Sequence, residues 1–226
     1  MADKIQSTNP TVKQAAAVLL SITQPAILLA TKYDSLIANP PYMGAKWMNP
    51  KVKVHIKTSY TNSKADLYAA FIELYKNRIV KHGRVAIVAM ESWMFLPTFE
   101  AFRDQFINDL TLTSLIHMPY EGKGTTSMGI NFGTAAFIAE YLDINDYLTS
   151  YQCIRSNEID SSGIPFKFPT LNEKSSIRSK SEFKSISSQP IAYWATEETI
   201  AAFRYNDGFN SIKSQATARK GLATGD

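Results

Sequence analysis

The sequence YDSLIANPPY, residues 33–42, decides the fold. A short apolar run at residues 35–38 predicts a buried strand, and this strand stops at residues 39–42. Proline cannot donate a hydrogen bond to a sheet and fixes φ at about −65°, and a residue that precedes proline, such as Asn39, is pushed toward extended geometry. The chain therefore leaves the strand as a stiff loop with a polar tip and an aromatic end. In open α/β sheets, ligands bind at this carboxyl edge.

The segments that follow predict alternating helices and strands. Residues 65–81 have helical spacing of apolar residues, with Asp66 in the first turn and Gly83 as the expected stop. The remaining predicted elements are a strand at 84–90, a helix at 97–110, a strand at 112–118 and a strand at 132–141. This order predicts a doubly wound α/β fold. Since no helix precedes the last strand, we expect that strand to run antiparallel.

Three other segments have less regular patterns. Asn9 and Pro10 predict the start of a helix that Pro25 ends or kinks, and we expect residues 15–30 to pack as a helix rather than to target the chain. Residues 43–63 predict a long, lysine-rich connection. Residues 143–226 are polar, with widely spaced apolar residues, and predict an excursion over the domain surface or a linker.

Composition limits the possible classes of function but does not identify one. The 226 residues suffice for one sizeable core, or one domain and part of a second. A net charge of +4 permits nucleic acid as a partner but does not require it. The single cysteine, Cys153, excludes a disulfide framework and favours a reducing, cytoplasmic location. No Cys or His pair has metal-ligand spacing, so we predict no metal site, and we expect Cys153 and the three histidines to have no catalytic role.

The loop at residues 39–42 has the groups needed to hold an amine. The side-chain oxygen of Asn39 and the carbonyl oxygen of Pro40 are both acceptors, and two rigid acceptors suit an exocyclic amino group. Tyr42 offers a flat face on which a ring can stack. The loop contains no strong base, which fits attack by an amine on an activated electrophile, as in methyl transfer from S-adenosylmethionine.

The motif Asn39-Pro40-Pro41-Tyr42 resembles that of amino-methyltransferases, above all the adenine-specific DNA enzymes. Residues 65–73, residues 83–88 and Ser92-Trp93 resemble the elements that follow the catalytic loop in this family. The lysine-rich loop, residues 190–194 and residues 221–225 look most like the large methyltransferases of the BREX/Pgl phage-exclusion systems. The resemblance covers residues 28–142 well, and residues 188–226 by short motifs.

The resemblance implies roles for particular residues. Asn39 and Pro40 would hold the adenine amino group, Pro41 would stiffen the catalytic loop, and Tyr42 would stack on the flipped base. Phe132 and Tyr120 are both candidates for a second stacking ring. The residues that could contact the DNA backbone, with a solvated loop as the equal alternative, are Lys46, Lys51, Lys53, Lys57, Lys64 and Lys123. We expect Trp93, Phe99, Phe102 and Phe106 to be core aromatics.

One part of the family pattern is absent. The family binds S-adenosylmethionine with a glycine-rich turn that precedes the catalytic loop, but residues 1–38 contain no glycine. We therefore expect the cofactor site to lie mostly outside this chain, which would be an inactive central fragment. Residues 1–142 would be part of a methyltransferase domain, the C-terminal half of a Rossmann-like, mostly parallel sheet with flanking helices. Residues 143–226 would lead to a missing target-recognition domain.

The implied partners are duplex DNA and other proteins of a phage-defence system, with no membrane and with the oligomeric state left open. Two alternatives remain at this point. The same loop could serve a methyltransferase for protein glutamine or an RNA guanine, because these groups are also planar amides or amines. The chain could also be a non-catalytic module that binds DNA or another protein.

Overall fold

A computed structural model describes residue 3 and residues 6–122 and 132–205. Its helices are α1 (Pro10–Ala30), α2 (Pro50–Ser59), α3 (Leu67–Lys76), α4 (Glu100–Asp109), α5 (Lys180–Lys184) and α6 (Glu197–Tyr205). Its strands are β1 (Tyr33–Ala38), β2 (Ile79–Met90), β3 (Thr111–Met118), β4 (Thr134–Glu140), β5 (Thr149–Cys153) and β6 (Ser176–Arg178). Lys123 and residues 221–225, which the sequence analysis singles out, lie outside the described residues.

The strands form one sheet in the order β1-β2-β4-β3-β5-β6. Parallel pairs are β1 with β2 and β3 with β5, whereas β4 runs antiparallel between β2 and β3. The predicted mixed α/β sheet with an antiparallel fourth strand is therefore confirmed. The carboxyl ends of β1, β2 and β3 meet at one edge of the sheet, where β4 begins.

The core lies between the sheet and helices α3 and α4. Val85, Ile87 and Ala89 alternate along β2 and are buried against this helical layer. Trp93 is completely buried and packs against Phe102, Phe106 and Phe137, with ring centroids 5.0–6.1 Å apart. The predicted core role of these aromatic residues is confirmed.

Two local expectations are wrong. The long connection at residues 43–63 contains helix α2, which begins where the Asn49 side chain accepts a hydrogen bond from the backbone N–H of Val52 at 2.9 Å. Gly83 does not stop a helix, because α3 ends at Lys76 and Gly83 lies inside β2. A glycine is needed there because a Cβ atom would stand 2.8 Å from the carbonyl oxygen of Val80 and 3.1 Å from that of Asp34.

The segment after residue 142 is more ordered than a surface excursion. Strand β5 pairs with β3 and strand β6 with β5, so the sheet continues beyond the expected boundary. Tyr151, Ile191 and Tyr193 are all buried in the main core. Contacts with residues that are distant in the sequence determine their burial.

The second face of the sheet has no covering layer among the described residues. Ile37 on β1 is 84% exposed, Ile138 on β4 is 40% exposed, and small apolar residues such as Ala86 and Ala136 lie between them. Parallel strands normally have both faces covered. This face and the free edge of β1 are therefore apolar surface of a kind that other parts of a domain usually bury.

Helix α1 adds to this exposed apolar surface. The Asn9 side chain caps it as predicted, but the helix continues through Pro25 to Ala30. The expected packing does not occur, because Ala16 is the one buried residue of α1 and no second layer of the described structure covers it. Helix α1 is long and apolar enough to cross a membrane. Core helices of soluble proteins and N-terminal signal sequences share these properties, so the length and composition of α1 are weak evidence for a membrane span.

We expect the substitution Gly83→Ala to lower the free energy of unfolding by about 1–3 kcal/mol, the usual cost of forcing a methyl group into packed structure. The carbonyl oxygens around Gly83 belong to the backbone and cannot move aside easily. Urea unfolding of the purified chain measures the change. Gly44→Ala is the matched control, since its Cβ would meet only an ordinary contact with Asp66 at 3.7 Å. Equal effects of the two substitutions would contradict the packing argument.

Candidate active site

The loop at residues 39–42 leaves β1 beside the end of β2. Ala38 is in register with Ile87, which brings the loop next to the last residues of β2. The Tyr42 hydroxyl lies 2.9 Å from Asn39 Oδ1 and 3.2 Å from the carbonyl oxygen of Val88. Burial raises the pKa of Tyr42, so its hydroxyl keeps its proton and donates. This side chain therefore ties the tip of the loop to the neighbouring strand.

The two expected acceptors both keep free hydrogen-bonding capacity, although Pro40 itself is a buried residue. Asn39 is exposed, and its Oδ1 has two lone pairs, of which the Tyr42 hydroxyl can occupy one. Among the described residues, no donor reaches the carbonyl oxygen of Pro40. The loop thus presents acceptor capacity that a group with two N–H bonds could use.

Asp66 anchors the chain that follows the loop. It caps α3 by accepting from the backbone N–H of Tyr68 at 3.2 Å, and it also accepts from the N–H of Met43 at 2.9 Å. The backbone of Leu67 in turn donates to the Met43 carbonyl at 3.0 Å. The carboxylate is buried, and this desolvation raises its pKa although the hydrogen bonds oppose the change. A capping residue of α3 therefore also fixes the residue next to Tyr42.

The structure brings one of the two candidate stacking residues to the loop. The ring of Phe132 lies 5.4 Å from that of Tyr42, at an interplanar angle of 84°. Tyr120 instead lines a cavity of about 400 Å³ with Glu91, His117 and Trp194. Two rings that hold a base between them must be roughly parallel, so the perpendicular pair leaves no room for a base in this conformation.

The predicted DNA-contact lysines divide into two groups. Lys53, Lys57 and Lys64 line an open groove of about 940 Å³, which Glu100 and Asp104 also line. Lys46 lies over the ring of Trp47, with Nζ 5.1 Å from the centroid. Lys51 is exposed at the start of α2. The first group therefore shares its groove with acidic residues.

A polar cluster that the sequence did not predict lies at the same edge of the sheet. His117 is buried on β3, with Nε2 2.6 Å from Glu91 Oε2 and Nδ1 2.9 Å from the Tyr193 hydroxyl. Glu91 directly follows β2, and this position at a strand end was an available signal. The contact with Tyr193 could not be predicted, because 76 residues separate it from His117.

The described residues contain no glycine-rich turn ahead of the loop at residues 39–42. A glycine-rich turn requires glycines ahead of the catalytic loop, and the first glycine of the chain is Gly44. Strand β1 pairs with β2 on one side, and no described strand pairs with its other edge. The described chain does contain the loop with the two expected acceptors, Asn39 and Pro40.

Two substitutions at Asp66 separate capping from charge. Asp66→Ala removes both acceptor contacts and should cost about 1–2 kcal/mol of unfolding free energy. Asp66→Asn keeps a neutral acceptor and should cost less. Because the folded-state pKa of Asp66 is raised, its stabilising contribution is full in acid and is lost as the pH rises through that pKa. Urea unfolding should therefore show Asp66→Asn improving relative to the unsubstituted chain between acidic and neutral pH, and the opposite trend would contradict the burial argument.

Sequence comparison finds one matching family model and related proteins. Residues 3–123 match the family model of the Eco57I restriction-modification methylases. The adenine-specific methyltransferase BrxX of Escherichia coli O9:H4 (strain HS) is 33% identical over 193 residues, which are 84% of this chain and 16% of that protein. The adenine-specific methyltransferase PglX of Lacticaseibacillus casei (strain Zhang) is 26% identical over 209 residues, or 88% and 16% of the two chains. The chain thus spans about a sixth of the length of these relatives.

Solved structures show the same fold at low sequence identity. A structure from a study of assembly and conformational transition in a type I restriction-modification system has a TM-score of 0.53 at 14% identity, over 75% of this chain and 38% of that one. The DrdV–DNA complex has a TM-score of 0.51 at 18% identity, over 78% of this chain and 20% of that one. The family match covers more than half of the chain, and the motif on which the resemblance rests lies within it. The chain belongs to the Eco57I restriction-modification methylase family.

Proposed function

We propose that this chain is the amine-binding part of an adenine-specific DNA methyltransferase that acts in phage defence or restriction-modification. The parent protein would transfer a methyl group from S-adenosylmethionine to the amino group of a flipped adenine in duplex DNA, in the cytoplasm. The observation that carries the proposal is the loop at residues 39–42, where two acceptors and an aromatic ring meet at the carboxyl edge of the sheet. Its curated relatives are named as adenine-specific methyltransferases.

Asn39 and Pro40 would act on the amine through hydrogen bonds. An exocyclic amino group offers two hydrogens, and the side-chain oxygen of Asn39 and the carbonyl oxygen of Pro40 each have a lone pair to accept one. These two hydrogen bonds hold the N–H bonds in place and leave the nitrogen lone pair available to attack the methyl group. Rigid positioning supplies much of the remaining acceleration, and both prolines keep the loop stiff.

Base entry would require Phe132 to turn away from Tyr42. Their perpendicular contact fills the space that a stacked base would occupy. Stacking on an aromatic ring is worth about 1–3 kcal/mol per base, which can offset the loss of one ring–ring contact. The closed pair would therefore be the resting state, and the sandwich would form when the flipped base arrives.

The methyl donor would be held by a part of the parent protein that covers the open sheet face. That face, the free edge of β1 and the apolar surface of α1 are all exposed, and the chain spans 16% of the length of its relatives. Strands that continue the sheet beyond β1 would complete the domain and bring the glycine-rich turn. The isolated chain would then lack activity.

The lysines of the groove would contact phosphates on the DNA strand next to the flipped base. Lys53, Lys57 and Lys64 line the groove, which is open to solvent. Glu100 and Asp104 also line it and would weaken the attraction of phosphates near them, so the DNA backbone would bind nearer to the lysines. The residues after 205 would lead to a target-recognition domain.

Asn39→Ala in the full-length parent should lower methylation of DNA by about 10²-fold or more, the usual effect of removing one preorganised hydrogen-bonding group. Transfer of a labelled methyl group to unmethylated genomic DNA from the host measures this rate. Asn108→Ala is the control, because Asn108 is exposed on α4 and contacts only Asp104 among the described residues. Unchanged methylation by Asn39→Ala would favour a non-catalytic module.

Calorimetry of the isolated chain with S-adenosylmethionine tests where the donor binds. We expect no measurable heat of binding, since the described residues have no glycine-rich turn. Tight binding would show that this chain holds the donor by itself, and would overturn the division of the site between this chain and the rest of the parent.

A further inference from the structure

Beneath the loop that contains Phe132 lies a row of three hydrogen-bonded side chains to which the proposed reaction gives no part. His117 is 4% exposed and is held at both ring nitrogens, by Glu91 at 2.6 Å and by Tyr193 at 2.9 Å. A carboxylate can only accept, so Nε2 carries a hydrogen and donates to Glu91. Burial raises the pKa of Tyr193, which therefore stays protonated and donates to Nδ1. The imidazole ring is thus fixed in one orientation.

Glu91 contacts the loop in two ways. Its backbone N–H donates to the carbonyl oxygen of Gly133 at 2.9 Å. Its carboxyl group fills the space that a Cβ atom at position 133 would occupy. The Glu91 carboxyl can keep its place beside His117 while position 133 is glycine, and a methyl group there would push it aside. Gly133 follows Phe132 directly, so Glu91 sets the path of the backbone next to this ring.

The other end of the row is held firmly by the segment at residues 190–194. Tyr193 stacks on Tyr151 with ring centroids 5.1 Å apart and planes 7° from parallel. The backbone N–H of Ile191 donates to the carbonyl oxygen of Met94 at 2.8 Å. Trp194 lies over His117, with ring centroids 6.0 Å apart. The row therefore connects a docked C-terminal segment to the loop that contains Phe132.

We propose that Glu91, His117 and Tyr193 form a positioning unit that holds Phe132 against Tyr42. In this unit the imidazole fixes the Glu91 carboxyl, and the carboxyl with its backbone N–H fixes Gly133. The ring of Phe132 then rests 5.4 Å from that of Tyr42. The contacts of these three side chains support this positioning role whether or not the chain belongs to a methyltransferase. Its consequence for base binding rests on the proposed methyltransferase function.

The contact itself can be measured in the isolated chain by nuclear Overhauser effects between ring protons of Phe132 and Tyr42. We expect Gly133→Ala and Glu91→Ala to lose these signals. Glu91→Gln should keep them, because its amide oxygen can still accept from His117. Glu197→Ala, an exposed change on α6, is the control and should have no effect.

Tyr193→Phe provides a second test, in which no large side chain is lost and no cavity forms in the core. It removes one hydroxyl from the row and keeps the stacking ring, so the chain should fold and the Phe132–Tyr42 signals should weaken at least twofold. The core signals of Trp93 report folding in every variant. Full retention of the ring contact in folded Glu91→Ala and Gly133→Ala would overturn the proposal. Full retention in Tyr193→Phe would remove Tyr193 from the unit and overturn the proposal as stated.

Methylation by the full-length parent connects the unit to base binding. Because the unit holds the closed ring pair that must open for base entry, Glu91→Ala should raise kcat/KM for DNA about tenfold, mainly by lowering KM, and Glu91→Gln should leave it near the value of the unsubstituted parent. If Asn39→Ala abolishes methylation while Glu91→Ala leaves kcat/KM unchanged, the positioning role in base binding is wrong and the function stands. If Asn39→Ala has no effect on methylation, the proposed function is wrong, and the ring contact still tests the positioning unit.

Discussion

The site depends on the end of hydrogen bonding at the carboxyl end of β1. Strand β1 pairs in parallel with β2 up to Ala38, and the prolines at positions 40 and 41 cannot continue the ladder. The backbone must therefore turn away with the carbonyl of Pro40 unpaired, while β2 continues to Met90. The extra length of β2 supplies the Val88 carbonyl that lies near the Tyr42 hydroxyl. A pair of strands of unequal length thus creates and supports an unpaired acceptor at the carboxyl edge of the sheet.

This arrangement also explains why acceptors without a protein partner cost the fold little free energy before a ligand binds. Asn39 is exposed, so water can satisfy its free acceptor capacity until a ligand arrives. The Tyr42 hydroxyl occupies one lone pair of Asn39 and thereby orients the side chain. Asp66 holds the following residue from the other side, at the cost of burying its own carboxylate. Orientation comes from neighbours that do not block the acceptor capacity of the loop.

The sequence predicts the parts of the structure that local rules control. The stop at Pro40, the apolar run of β2, and the antiparallel β4 that follows a connection without a helix all depend on residues close in the chain. The sequence failed to predict burial of Tyr151 and Tyr193, because their neighbours lie on distant strands. It also failed at Gly83, where a glycine is needed because two carbonyl groups approach closely, that of Val80 and, from another strand, that of Asp34. In the site, Tyr42 and Asn39 were identified from chemistry, whereas the row through His117 depends on contacts across 26 and 76 residues.

The uneven burial of the sheet links the fold to the proposed division of the site between this chain and the rest of the parent protein. One face is packed against α3 and α4, and the other leaves Ile37 and Ile138 exposed. At about 25 cal/mol per Å² of buried apolar surface, covering such a face stabilises a domain substantially. If another part of the parent protein packs on this face, the buried apolar surface would supply the free energy that holds the bound methyl donor next to the amine. In that case the methyl group and the amine would meet only in the completed sheet, because the hydrophobic contacts that finish the fold also bring the two halves of the site together.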